Sequence, residues 1–377
     1  MFPINIAEVT LNSNSINTTI VDGVVNISDV YMVSGNVTYY SNDTSINGVD
    51  IFLDGSNEYH VTTDADGEYS IQEVVTDDYT MTATKNDDVN GITAFDATMV
   101  LRSSVGLESF DILQTIAADV NSDGVVNSMD AAQILQFVAG IRVLPFEGTG
   151  VIWKFNPEEY SYIDIEQNMF NQDLKAILVG DVTGNYSPSS DTASLFDTDG
   201  VLKIGTFTET ESQLLVPIEI NYYDYDLYSF ETTIMFDHGV TVHDIVFAKE
   251  LEQCFIVTNT QNDNMIRIAV ACTNPVDING IAFQIIFNKG VEMPDQFHMI
   301  VQDTYLNEYE NILELTSVYN GYLNPDLNND GIIDENDIKL MVEDYNMTYN
   351  EADISIYDFN SDGIIDIYDI IKNNSTE

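Results

Sequence analysis

The chain has 377 residues, with 63 acidic against 11 basic, and a formal net charge of −52. So acidic a surface repels nucleic acid and anionic membrane, which argues against both as partners, and it suits a saline or calcium-rich medium. A hydrophobic fraction of 44% with 21 Tyr, 18 Phe and one Trp argues for folded domains, roughly two to four of them at this length.

In chain order, residues 1–29 are polar and β-prone without a clear domain signal. Met1-Phe2-Pro3-Ile4 lacks the basic and apolar regions of a signal peptide. The chain therefore reads as a mature form or a piece of a longer protein. No apolar run reaches the roughly 18 residues of a spanning helix. Residues 30–84 alternate with period two over Val33–Tyr40, Val49–Leu53, Tyr69–Val74 and Tyr79–Thr84, with turn residues between, which predicts a small β-sandwich. Val33-Ser34-Gly35-Asn36-Val37, Gly48-Val49-Asp50-Ile51, the turn Thr63-Asp64-Ala65-Asp66-Gly67-Glu68-Tyr69 and Asp78–Ala83 resemble the carboxypeptidase regulatory-like family. The resemblance implies a transthyretin-like β-sandwich serving as a non-catalytic spacer. Asp64 and Asp66 are read as turn formers rather than calcium ligands.

Residues 85–145 contain an internal repeat. Phe95-Asp96-Ala97-Thr98-Met99-Val100-Leu101 recurs 34 residues later as Met129-Asp130-Ala131-Ala132-Gln133-Ile134-Leu135. Each copy predicts a short helix capped by an aspartate and ended by Gly106 or Gly140. The second copy follows a complete D-x-N-x-D-G calcium loop. Such a loop places oxygen ligands at positions 1, 3, 5, 7, 9 and 12 and a glycine at position 6. The corresponding residues are Asp119, Asn121, Asp123, the carbonyl of Val125, Asn127 and Asp130, with Gly124 at the turn. Counting back from Asp96, the first loop starts at Lys85 and has Val89 and Asn90 at positions 5 and 6, so it is expected to bind calcium weakly or not at all. Residues 146–190 read as a connector. Trp153, the single tryptophan, is read mainly as a packing residue. The segment Asp181-Val182-Thr183-Gly184-Asn185 is read as a turn.

From 191 to 323 the chain is β again, with strands at Leu214–Ile220, Leu227–Phe236, Val240–Phe247, Ile266–Cys272 and Gly280–Phe287. Strands at Phe255–Thr260 and Ile266–Ala271 around Gln261–Asn264 would set Cys254 and Cys272 opposite one another, making them a disulfide candidate in an oxidising compartment, with two buried thiols as the alternative. Residues 324–377 hold two further complete loops starting 32 residues apart. Their ligands are Asp326, Asn328, Asp330, the carbonyl of Ile332, Asp334 and Asp337, then Asp358, Asn360, Asp362, the carbonyl of Ile364, Asp366 and Asp369. Three complete loops predict about three Ca2+ sites.

The paired loop–helix repeats resemble dockerin domains, the calcium-folded modules that plug into cohesin domains. For the terminal pair the resemblance implies partner-selecting residues at Glu335, Asn336, Ile367 and Tyr368. The second terminal helix departs from the pattern, because the chain stops at Glu377. Val216-Pro217-Ile218, Leu227–Ile234, Ile268–Ala271 and Ile278–Phe287 resemble the cohesin family, whose fold is a jelly roll; a carbohydrate-binding sandwich would look much the same.

The fold class is thus mainly β, with a small transthyretin-like sandwich, a larger cohesin-like sandwich and two small α-helical dockerin-like modules. No catalytic constellation emerges. His60, His238, His243 and His298 are scattered, and no H-E-x-x-H, G-x-S-x-G or phosphate-loop motif occurs. These readings imply an extracellular or cell-surface, non-catalytic, calcium-dependent adaptor resembling a small scaffoldin, with cohesin- or dockerin-bearing partners. The rival reading is a carbohydrate- or cell-surface-binding protein, with polysaccharide as ligand and purely structural calcium loops. A weaker third reading is a fragment of a secreted enzyme. For residues 85–141 an intramolecular brace is preferred over a plug.

Overall fold

The computed structural model describes residues 30–188 and 200–320, apart from gaps at 211, 223–225, 262–263, 291–295 and 312–314, together with short strand pieces before residue 30. The terminal calcium loops, with Glu335, Asn336, Ile367 and Tyr368, lie outside the described residues.

The chain divides into two compact units. One comprises Met1–Ile92, Met99–Ile134 and Val143–Ala193; the other comprises Thr93–Thr98, Leu135–Arg142 and Ser194 onward. In the first unit, β1 (Val30–Tyr39), β2 (Asp50–Asp54), β3 (Glu58–Thr62), β4 (Glu68–Val75) and β5 (Tyr79–Thr84) form where alternation predicts strands. They do not complete the sandwich alone. The segment expected as a connector supplies β6 (Trp153–Asn156), β7 (Glu159–Tyr162) and β8 (Leu174–Leu178). The two sheets run β6-β8-β1-β4 and β7-β5-β2-β3. β8 lies parallel to β1, pairing Leu174 with Val37. A parallel partner must come from far along the chain, because no tight turn can connect parallel strands. Val33, Val37, Tyr39, Ile51, Leu53, Ile71, Met81, Trp153 and Leu174 form the buried layer between the sheets.

Three helices separate β5 from β6: α1 (Ala94–Ser104), α2 (Ile112–Ala118) and α3 (Ser128–Val138). The pattern of the repeat predicts α1 and α3 but not α2. Its start carries a readable signal, however. Asp111 accepts from the backbone N–H of Leu113 and Gln114, and the Gln114 side chain accepts from the Asp111 N–H, a reciprocal cap that satisfies otherwise orphaned donors. α1 and α3 end alike. Gly106 (φ +78°) and Gly140 (φ +68°) take the left-handed conformation, with Leu107 N–H donating to Arg102 O and Ile141 N–H to Gln136 O, both at 2.8 Å.

The second unit is a larger β-sandwich. One sheet holds β9 (Gly200–Ile204), β10 (Gln213–Tyr222), β15 (Asn279–Lys289) and β12 (Val240–Phe247) in that order, with Thr208–Glu209 also on β10. The other holds β13 (Phe255–Asn259), β14 (Met265–Val276), β11 (Leu227–Phe236), β16 (Gln296–Leu306) and β17 (Tyr309–Asn311), with β18 (Leu315–Asn320) on β16. Leu214, Val216, Ile218, Phe230, Ile234, Ile266, Ile268, Val270, Phe283, Ile285, Phe287 and Phe297 make its core. Alternate residues of Leu214–Ile220 in β10, Ile266–Cys272 in β14 and Phe283–Phe287 in β15 point inward, as period-two alternation requires.

Candidate calcium loop and helix pair

The loop Asp119–Asp130 joins α2 to α3, and its fold is built from side chains turning the backbone. Asp119 Oδ1 accepts from Asp123 N–H at 3.1 Å, and its Oδ2 from Gly124 N–H at 3.0 Å. Asn121 Oδ1 accepts from Asp123 N–H at 2.9 Å, and Asp123 Oδ1 from Val125 N–H at 2.8 Å. Gly124 sits at φ +85° with open space where a Cβ would project. That conformation is why position 6 is glycine. Asp130 is fully buried at the start of α3 and accepts from the Asn127 N–H at 2.9 Å and the Asn121 N–H at 3.3 Å. Burial pushes its carboxyl pKa up, the backbone donors oppose that, and the Asp119 and Asp123 charges add to the rise. Three mutually repelling carboxylates around one short loop are what a hard divalent cation relieves.

Asn127, the residue at position 9, also shapes the loop. Its Oδ1 accepts from Met129 N–H at 2.7 Å as the cap of α3, and its Nδ2 donates to Val125 O at 3.0 Å. Asp119, Asn121, Asp123, the Val125 carbonyl and Asp130 carry the oxygen atoms, the donor type a Ca2+ loop requires, while Asn127 caps α3. Among the described residues no group of three or more His, Cys, Asp or Glu side chains is placed to hold a metal ion.

The earlier copy of the loop has the same closing device but not the donors. Thr93 N–H donates to Asp96 Oδ2 at 2.8 Å, just as Asn127 N–H does to Asp130. Its first position is Lys85, which is nearly buried and donates to Asn47 O at 3.2 Å and Asp87 Oδ1 at 2.7 Å. A cationic side chain stands where a ligand is required.

Beside this loop in the first unit lies a polar hub that sequence reasoning reduced to a turn. Asp181 is fully buried and accepts from Tyr39 Oη (2.6 Å), Gly184 N–H (2.8 Å) and Tyr186 N–H (2.9 Å). Burial pushes its pKa up to about 6, against the pull of those donors. Trp153 is 3% exposed, donates through Nε1 to Asp87 O at 2.8 Å, and meets Tyr39 and Tyr186 edge-on. It is a packing residue. In the second unit Cys254 and Cys272 form a disulfide, their strands registered with Phe255 opposite Ala271. His298 Nδ1 lies 2.6 Å from Asp237 Oδ2, and His243 Nδ1 lies 3.4 Å from Asn288 Nδ2.

Residues 83–139 match the Dockerin type I domain family. The match takes in all three helices and the loop Asp119–Asp130. The chain thus carries a dockerin-type segment, a class of module that binds calcium and mediates protein–protein assembly. No curated protein matches the chain. Among solved structures, a non-cellulosomal cohesin from Archaeoglobus fulgidus is similar at 14% identity and a TM-score of 0.27, covering 32% of this chain and 89% of that one. A type I cohesin–dockerin complex from Clostridium thermocellum aligns at 15% identity and a TM-score of 0.27, covering 32% and 97%. The major pilin subunit of Bacillus cereus aligns at 10% identity and a TM-score of 0.27, covering 77% and 67%. No helix of the described residues is long and apolar enough to cross a membrane.

Proposed function

We propose that the chain is a non-catalytic, extracellular, calcium-dependent adaptor that joins proteins through cohesin–dockerin-type contacts. The observation that carries this reading is the all-oxygen loop Asp119–Asp130, which runs directly into α3 through Asn127 and Asp130, inside the segment that matches dockerins. Calcium relieves the repulsion among Asp119, Asp123 and Asp130, and its binding energy becomes folding energy for the helix pair. The terminal loops at 326–337 and 358–369 are proposed as two further sites by their residue pattern alone. Cohesin- or dockerin-bearing proteins are the proposed partners.

The test is calorimetric titration of the full chain with calcium, with far-UV circular dichroism followed in parallel. About three sites with a gain of helix support the reading; no heat at millimolar calcium would sink it. A second reading, glycan binding, is favoured by an open depression of about 520 Å³ in the first unit, lined by Asn36, Asp64, Glu68, Tyr69, Phe170 and Asn171 among others. Phe170, 53% exposed, offers a stacking ring there.

A further inference from the structure

β6 forms one edge of the sheet β6-β8-β1-β4 and is only four residues long. Its ladder runs along β8, from Trp153 opposite Leu178 to Asn156 opposite Lys175. β8 in turn reaches β1 by a parallel pairing that no short turn can supply. Closing so long a connection costs chain entropy, and one short ladder offsets little of it. This edge therefore needs anchors outside the sheet.

The anchors lie between β5 and β6, within the first unit. Two neighbouring side chains of β6 each reach one loop. Trp153 Nε1 donates to Asp87 O in the earlier copy, and Lys154 Nζ donates to Ser122 Oγ at 3.0 Å in the loop Asp119–Asp130. The turn before β6 lies against that same loop: Gly148 takes φ +105°, and a Cβ on it would run into the Asn121 carbonyl. Beyond β8, Gly180 N–H donates to Ala117 O at 2.9 Å, satisfying a carbonyl that α2 leaves open. Val182 O accepts from Gln114 Nε2 at 3.4 Å. A Cβ on Gly180 would lie 2.8 Å from the buried Phe146 ring, so the turns before β6 and after β8 also interlock.

These contacts depend on the shape of the loop. Asn121 and Ser122 meet Gly148 and Lys154 where Asp119 and Asn121 fold the backbone back through the Asp123 N–H. Crowding the Asp119, Asp123 and Asp130 carboxylates disfavours that tight form unless a cation offsets their charge. A cation that holds the loop thus holds the strands anchored to it. By linkage, the anchored strands favour the cation to the same degree.

We propose that the loop Asp119–Asp130 is a calcium-operated latch on the first sandwich: the metal sets the loop, and the loop fixes β6 and β8 through Gly148, Lys154 and Gly180. Gly148 and Lys154 are positioning residues, since neither offers the metal an oxygen from its side chain. The proposal rests on the calcium reading of this loop and gives it a second consequence, closure of a β-sandwich.

Trp153, the single tryptophan, sits beside the latch and reports on it. The test is calcium titration of the full-length protein, with acrylamide quenching of Trp153 fluorescence read alongside the calorimetric heat. Calcium is expected to lower the quenching constant. Asp330→Ala, in the terminal loop 326–337, should keep that response, and Asp123→Ala should lose it. From the sandwich side, Gly148→Ala should weaken calcium binding at this loop about ten-fold or more, a typical coupling between linked sites. Gly150→Ala should not, because Gly150 is likewise at positive φ (+70°) but has nothing within 4 Å of an added Cβ. The Asp123→Ala comparison decides by itself should Gly148→Ala fold poorly. Calcium heat with unchanged quenching, a response that survives in Asp123→Ala, or equal affinities in the two glycine variants would overturn the latch and leave calcium binding standing. Absence of any calcium heat would overturn both.

Discussion

Replacing Glu231 by glutamine isolates one ionisable group at the point where α1 meets the sandwich. Glu231 is partly covered as a residue, but its carboxyl lies within the contact. Burial pushes its pKa from 4.5 up to about 8; the Ala94 N–H works against that rise, and the Asp303 charge adds to it. Arg267 lines the same cavity as Glu231. A group whose folded-state pKa lies above its unfolded value keeps its proton longer in the fold. Between pH 4.5 and about 8 the native chain therefore binds more protons than the unfolded one, and stability falls as pH rises through that window. The slope is at most about 1.4 kcal/mol per pH unit, and the whole excursion at most about 5 kcal/mol. Glutamine cannot ionise and retains an oxygen for the Ala94 N–H. Urea unfolding of both proteins in saturating calcium, across this range, should give nearly equal stabilities at the acid end. The variant should gain by a few kcal/mol at the alkaline end and level off beyond about pH 8. Parallel curves, or a wild type that is the more stable at alkaline pH, would refute the burial of this carboxyl.

On the proposed calcium site, Asp123→Ala should lower the calorimetric calcium stoichiometry by one and reduce the calcium-induced gain of helix, since the loop loses both a carboxylate and its turn at Val125. Trp153→Phe removes the donor to Asp87 O and should cost about 1–3 kcal/mol in urea unfolding of the first unit. The Cys254→Ser/Cys272→Ser double variant opens a link of sequence separation 18 and should destabilise the sandwich by about 3 kcal/mol. Alanine at Phe170 should abolish any glycan-array signal from the depression around Asn36 and Asn171; binding retained in that variant places the ligand elsewhere.

Much of this protein was legible before folding because it depends on short-range geometry. The ligand spacing Asp119-x-Asn121-x-Asp123-Gly124 specifies the turns, since each side chain bonds an N–H two to five positions on. The glycines that end α1 and α3 and the period-two strands of both sandwiches are local in the same sense. The cap Asp111–Gln114 was equally local, and α2 was missed only because its apolar face is short. Residues 146–190 looked like a linker because β8 finds its parallel neighbour β1 more than a hundred positions away, and no local pattern records such a pairing. Asp181 looked like a turn because the burial that makes it a hub comes from Tyr39 and Tyr186. Sequence by itself determined the turns of the loop Asp119–Asp130 and the class of the elements, because both are set by neighbours along the chain. Only tertiary structure decided that strands from 153–178 close the first sandwich and that Glu231 accepts from the Ala94 N–H and Asn259 donates to Ala139 O, because those contacts join residues that are distant in sequence and become neighbours only on burial.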